Sequence, residues 1–259
     1  MPEVTAYPPG TPSWVDLGTP DIPGAAAFYG GLFGWDTPEG SPETGGYVNC
    51  TYKGRSVAGL GPQTGPGLPY WTTYVSVASA DEAAAKVAGA GGTTVVEPMD
   101  VMTLGRMAMF LDPVGAPFSV WQAADHIGAA VVNEPNTLCW NEMATRDPDT
   151  AVRFYGEVFG WEAVDDPQSA HGYRMWVLRG RRVGGLLTMD ENFPAGIPPH
   201  WMPFFAVDDA DAAITRTQEL GGKAQTEAMD IPPGRFAVLA DPQGAHFSVV
   251  ALVQADPPP

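Results

Sequence analysis

Apolar positions along this chain change period in a fixed order, and the order is written twice. Trp14–Leu17 alternates as a half-buried strand does, with Asp16 between Val15 and Leu17. Asp21 then stands where a helix N-cap belongs, and Phe28, Tyr29, Leu32 and Phe33 form an apolar stripe that Gly34 stops. The second copy is clearer. Asp147 caps, Pro148 takes the first helical position, Asp149 favours the helix N-terminus, and Tyr155, Val158 and Phe159 carry the stripe to Gly160. After an irregular strand, each copy continues with two further short strands. They are expected near Tyr47–Tyr52 and Ser56–Leu60, and near Tyr173–Leu178 and Arg182–Leu187. Next come a strand at Trp71–Val77 or Trp201–Val207, and a helix at Asp81–Ala90 or Ala210–Leu220 that ends at paired glycines. Two strands close each half, the last being Phe118–Trp121 and Phe247–Ala251. The chain therefore reads as four strand-helix-strand-strand-strand units.

The copies match in residues as well as in pattern. Trp14–Trp35 and Trp140–Trp161 agree at 10 of 22 ungapped positions, and DPVGAPFSV at Asp112–Val120 answers DPQGAHFSV at Asp241–Val249. So long a period marks a duplicated domain rather than a solenoid. The expected division is domain 1 at 14–121 and domain 2 at 140–252, with tails at 1–13 and 253–259. The connection at 122–139 lacks low-complexity character and should be an ordered crossover. The Pro-rich tails should be extended or mobile. The two Asp-Pro-x-Gly segments read as tight turns. Arg106 and Arg235 recur after glycines and are expected to pair with Asp100 and Asp230 or with the turn acids.

Composition narrows the function classes. The chain has 259 residues, with 30 acidic against 13 basic side chains, a net charge of −17. Such a field repels phosphate backbones and anionic lipid, so neither nucleic acid nor membrane is an expected partner. No apolar run approaches the roughly 20 residues of a bilayer span, and the N-terminus lacks the pattern of a signal peptide. Cys50 and Cys139 occupy non-equivalent positions, which suits two unpaired thiols and a cytoplasmic location.

Taken together, FYxxxFGW at Phe28–Trp35 and Phe154–Trp161, with DPxGxxFSV, resembles the vicinal oxygen chelate superfamily of glyoxalases, bleomycin-resistance proteins and extradiol dioxygenases. The resemblance spans about Trp14–Leu252 and is nearest to a tandem actinobacterial subgroup that includes a mycobacterial culture-filtrate antigen and anthracycline-hydroxylation accessory proteins. It implies an α+β fold of two glyoxalase-like domains, each of paired βαβββ units whose curved mixed sheet forms a cup. It also implies packing as an internal pseudo-dimer, as a monomer or homodimer. Enzymes of the superfamily hold a divalent metal in the cup. The corresponding positions here fall on Trp14, Thr72 and Ser119, and on Trp140, Met202 and Ser248, with a fourth near Leu60 and Leu186. None of these is a carboxylate or imidazole, so no metal and no cofactor is expected.

Alternation along the first strand sends Asp16 to the face of Trp14, and Glu142 to that of Trp140. A tryptophan with an acid two residues on suits a flat ligand that stacks and carries a donor or positive charge; a filling Trp beside a rim acid is the equally weighted plain alternative. Thr72 and Tyr74, and Met202 and Phe204, continue the cup lining, whereas Trp71 and Trp201 suit the core. Met99, Met102, Met107 and Met109 crowd the late strands, where core filling or an adaptable apolar wall would both employ them. His246 shares a face with Ser248, and His200 precedes Trp201; no nucleophile elbow surrounds either serine, so a hydrogen-bonding His246 is favoured over a catalytic one. His126 and His171 read as linker and loop residues. The expected function is metal-free binding or sequestration of a planar aromatic small molecule, in resistance or biosynthesis, beside a biosynthetic hydroxylase. The alternative is an enzyme: a glyoxalase-like lyase or isomerase, or a cofactor-independent oxygenase or hydroxylase.

Overall fold

The structure is a computed structural model that describes residues 4–63, 67–166, 172–191 and 193–253. His171 and most of the C-terminal tail lie outside the described residues. The first half runs β1 (Pro12–Thr19), α1 (Ile22–Phe33), β2 (Val48–Tyr52), β3 (Arg55–Pro62), β4 (Tyr70–Ser76), α2 (Ala80–Gly89), β5 (Thr93–Val101), β6 (Gly105–Leu111) and β7 (Pro117–Ala123). The second runs β8 (Leu138–Thr145), α3 (Pro148–Phe159), β9 (Glu162–Asp165), β10 (Arg174–Leu178), β11 (Arg181–Thr188) and β12 (His200–Ala206). It continues through α4 (Ala210–Glu219), β13 (Lys223–Ala224), β14 (Met229–Ile231), β15 (Gly234–Ala240) and β16 (His246–Leu252).

Local chemistry sets the first helix of each half. Asp21 Oδ1 accepts from the Gly24 N–H at 2.9 Å, Asp147 Oδ1 from that of Thr150 at 3.1 Å, and prolines occupy the first turns. Gly34 and Gly160 close α1 and α3 in the left-handed conformation, at φ 69° and 74°. One expected strand is missing: the stretch after α1 is reduced to a single Asp36–Thr51 bridge, whereas its counterpart β9 forms in the second half.

Each half builds its own mixed sheet, in the order β2-β3-β1-β4-β7-β6-β5 and β13-β15-β16-β12-β8-β11-β10-β9 among the described residues. Among those residues no strand crosses between the sheets. The cores span both halves. Phe28, Tyr29 and Phe33 of α1 share a core with Phe205, Leu239 and Phe247 of the second half. Phe154, Tyr155 and Val158 of α3 share one with Val75, Phe110 and Phe118 of the first. The sheets meet at β4 and β8, where Thr73 donates to Asn141 Oδ1 at 2.9 Å.

The Asp-Pro-x-Gly turns join this exchange. Asp112 Oδ1 accepts from the N–H groups of Val114 and Ala116, and Asp241 Oδ1 from those of Gln243 and Ala245. The second oxygen of each reaches the opposite half: Tyr155 donates to Asp112 at 2.9 Å and Tyr29 to Asp241 at 3.2 Å. Trp201 and Trp71 donate in turn to those phenols, so both tryptophans are core residues, as expected. Arg106 pairs with Asp100 and also with Asp81; Arg235 pairs with Asp230 and also with Asp211.

The repeat begins earlier than Trp14. Gly10 and Asn136 both adopt positive φ, 90° and 71°. The Gly10 carbonyl accepts from Trp161 Nε1, and the Asn136 carbonyl from Trp35 Nε1, each across the halves. Backbone bonds between Gly10, Thr11 and Ser76 are repeated between Asn136, Thr137 and Ala206. The N-terminal segment is thus extended and docked, its Val4 N–H bonded to the Ala130 carbonyl. The segment that joins the halves is tied to the first of them: Ala129 and Ala130 donate to the carbonyls of Ser13 and Ser56.

Candidate functional site

Strand alternation decides which side chains enter the cups. Val15 and Leu17 are fully buried against α1, so Trp14 and Asp16 stand on the opposite, concave face. Across that face Trp14 lies opposite Tyr74, and Tyr74 beside Ser119; one step along, Asp16 lies between Gly59 and Thr72. In the second half Trp140, Phe204 and Ser248 form the equivalent row, and Glu142 lies between Gly185 and Met202. The expected cup residues therefore fall into two registered sets, five in the first half and six, with His246, in the second. Leu60 and Leu186 do not join them. Both are fully buried on the helix side, and their neighbours Gly59 and Gly185 face the cup instead.

Those glycines expose a feature that strand alternation alone missed. A Cβ on Gly59 or Gly185 would collide with the hydroxyl of Tyr47 or Tyr173. Both glycines are thus slots for a tyrosine laid into the cup. Tyr47 accepts from Trp14 Nε1 at 3.0 Å and donates to Asp16 Oδ2 at 3.3 Å. Tyr173 accepts from Trp140 Nε1 at 3.0 Å and hydrogen-bonds Glu142. The signal was present: Trp14/Trp140, Tyr47/Tyr173 and Gly59/Gly185 are each 126 residues apart. Each cup therefore has a Trp–Tyr–acid relay at its centre.

Burial dominates the acids. Desolvation pushes the Asp16 carboxyl up to about 7, against the opposing hydrogen bonds from Tyr74 and Tyr47. Desolvation likewise pushes Glu142 up to about 7, opposed by Tyr173 alone. Burial and the facing carboxylate together hold the Tyr47, Tyr74 and Tyr173 phenols well above their ordinary range, so they donate rather than ionise.

The cups differ in cover. Trp14, Tyr74 and Trp121 pack into one buried cluster with Ala129 of the connection. His126 stands edge-on to Trp14 with ring centroids 4.7 Å apart, and its carbonyl accepts from Trp121 Nε1. Burial lowers the pKa of that imidazole. His126 is thus a cup residue, placed there by the connection. Trp14 is left 4% exposed, whereas Trp140 remains partly open. Phe204 stacks with Phe236, and Ser248 donates to Met202 Sδ at 3.0 Å rather than to a histidine. His200 and His246 lie on the outer part of this face, His200 with its pKa lowered by burial. Of the methionines, Met107 packs on the first cup's aromatic cluster and Met109 lies beside Ser119. Met99 and Met102 are 48% and 62% exposed, outside any core. A separate cavity of about 230 Å³ is lined by Tyr7, Asn133, Cys139, Trp140, Arg181 and Arg182 among others.

The donor set does not suit the divalent ion that related enzymes hold. At the central rows each cup offers one carboxylate, Asp16 or Glu142, and otherwise indole, phenol, phenyl, hydroxyl and thioether groups. Among the described residues, no three His, Cys, Asp or Glu side chains converge as an ion would require. Nor is any helix among them long and apolar enough to cross a membrane.

Comparison with known proteins gives this geometry a family. Residues 11–120 match the Glyoxalase/Bleomycin resistance protein/Dioxygenase superfamily, and residues 139–250 match the glyoxalase-like domain. The chain is 42% identical to the Mycobacterium tuberculosis protein named "Putative glyoxylase CFP32", covering 96% of this chain and 98% of that one. It is 39% identical to the anthracycline biosynthesis protein DauV of Streptomyces sp. (strain C5), covering 98% of both. Among solved structures, the Mn(II)-bound glyoxalase from Novosphingobium aromaticivorans matches with a TM-score of 0.65 at 16% identity, over 97% of this chain and 88% of that one. The 2,3-dioxygenase LapB from Pseudomonas sp. KL28 matches at 0.66 and 13% identity, over 96% and 94%. With both halves matched and such relatives spanning its length, the chain belongs to the glyoxalase/bleomycin resistance protein/dioxygenase superfamily.

Proposed function

We propose that this protein binds a planar aromatic small molecule in a cup that uses no metal, as a cytoplasmic accessory in antibiotic biosynthesis or resistance beside a hydroxylase. The observation that carries this reading is the Trp–Tyr–acid relay, built twice around a single carboxylate where, among the described residues, no three potential metal donors converge. An indole offers a flat ligand a stacking face, and a partly buried acid offers it one polar anchor. The names of the relatives DauV and DnrV, both anthracycline biosynthesis proteins, support the aromatic class. The second cup is the better host, because His126 and Trp121 already cover Trp14 in the first. Its ligand would meet Trp140, Glu142, Met202, Phe204, His246 and Ser248; in the first cup, formed by Trp14, Asp16, Thr72, Tyr74 and Ser119, the acid is already held by Tyr74 and Tyr47.

Titration with soluble anthraquinones, followed by tryptophan fluorescence, should show saturable quenching and a raised melting temperature. Trp140→Ala should weaken binding by at least about tenfold. Absence of both quenching and thermal shift across planar aromatics would overturn the proposal. A second reading has one observation in its favour: an acid with a pKa of about 7 in each cup suits proton transfer, and hence an enzyme that needs no metal. Turnover of a bound aromatic or of a hemithioacetal, abolished by Glu142→Gln, would favour it.

A further inference from the structure

We propose that the second cup selects aromatic ligands that carry a phenolic hydroxyl, which the ligand delivers to Glu142 in the position that Tyr74 fills before Asp16. The inference rests on the second cup being the ligand site. In the first cup the Asp16 carboxyl receives two phenols: Tyr74 at 2.9 Å and Tyr47 at 3.3 Å. The second cup keeps most of this arrangement. Trp140 answers Trp14, Tyr173 answers Tyr47, Gly185 answers Gly59, and Glu142 answers Asp16. One partner differs. Trp14 lies opposite Tyr74, but Trp140 lies opposite Phe204. The register is the same and the ring is kept; the hydroxyl is gone.

Glu142 thus receives one phenol where its counterpart receives two, and it remains in a desolvated position. A buried acid short of a donor is unfavourable, and a donor that arrives with a ligand relieves it. Two neighbours are already committed: Ser248 donates to Met202 Sδ and Trp140 Nε1 to Tyr173. A flat ring suits this donor, because Trp140, partly exposed, stands two residues from the acid on the same strand. The first cup displays the filled version of this site. There Tyr74 acts as the built-in phenol and His126 packs on Trp14, the stacking surface.

The test compares beta-hydroxyanthraquinone with its methyl isostere on the whole protein, by fluorescence titration. Wild type should bind the hydroxyl compound at least about tenfold more tightly, the scale of one hydrogen bond to a charged group. Phe204→Tyr should restore the phenol from within and reduce that preference to less than about threefold. A melting curve for Phe204→Tyr establishes that the variant is folded, which is expected because Tyr74 occupies this register in the first cup. Equal wild-type affinity for the two compounds, or a preference that survives Phe204→Tyr, overturns the hydroxyl selectivity and leaves aromatic binding standing. Failure of both compounds to bind overturns the aromatic-binding reading itself.

Discussion

Asp241→Ala should lower the unfolding free energy by about 3–5 kcal/mol, although the residue lies on a turn. Asp241 is 2% exposed, and three donors depend on its carboxyl: the backbone N–H groups of Gln243 and Ala245, and the Tyr29 hydroxyl from the other half. Alanine leaves the Ala245 N–H and the Tyr29 hydroxyl buried without this acceptor and the half-buried Gln243 N–H without it too, and each orphaned buried donor is unfavourable by roughly 1–3 kcal/mol. Tyr29→Phe removes a single link of the chain from Trp71 through Tyr29 to Asp241, and should lower stability by about 1–2 kcal/mol. Because the two residues touch, the double variant should fall short of the summed losses by about 1 kcal/mol. Urea denaturation measures all of these. A loss below about 1 kcal/mol for Asp241→Ala would mean that this turn does not anchor the halves to each other. Asp112→Ala tests the mirrored contact with Tyr155.

The second large effect is a loss of stability as pH rises. Asp16 has its carboxyl raised from 3.8 to about 7 in the fold, and Glu142 from 4.5 to about 7. A raised acid binds more protons folded than unfolded across that interval. Stability is therefore full below about pH 4, falls as pH climbs through 7, and levels off above it. A tenfold change in proton affinity is worth about 1.4 kcal/mol, so each carboxyl should contribute a fall on the order of 2–4 kcal/mol. The histidines act in the opposite direction. His126 and His200 have lowered pKa values, so their contribution is lost as pH falls through the folded value. Comparing wild type with Asp16→Asn and with Glu142→Gln cancels the histidine effect. Both variants should melt higher than wild type at pH 8 and gain nothing at pH 4. Parallel pH profiles for wild type and variants would show that neither acid is held against ionisation.

Much of the scaffold could be read from the chain because its causes are local. A cap side chain reaches a backbone N–H three residues away, as Asp21 and Asp147 do, and a left-handed glycine ends a helix wherever it stands. Alternation set Trp14 with Asp16, and Trp140 with Glu142, on one face for the same reason. Less local features were harder to read. Leu60 and Leu186 were one residue out of phase, and a single step on a strand moves a side chain from cup to core. Tyr47 and Tyr173 precede their strands and reach the acids only because glycines on the neighbouring strand leave room. The start of the repeat was masked because Gly10 and Asn136, though different residues, fill the same left-handed position. Pro9 with Pro135 and Thr11 with Thr137 were its visible trace.

From its sequence alone this chain is a duplicated glyoxalase-like protein, with a Trp-x-acid strand in each copy. Those properties depend on short-range periodicity and on residue identity, which repetition makes legible twice. Tertiary structure alone decided that α1 and α3 pack on their own sheets while sharing a core with the other half, and that no described strand crosses between the sheets. It also decided that the two cups, nearly equal in residues, differ in cover: the connection has to cross the first sheet to start the second, and that path brings His126 onto Trp14. Among the described residues no counterpart of that crossing follows β16, and Trp140 remains partly open.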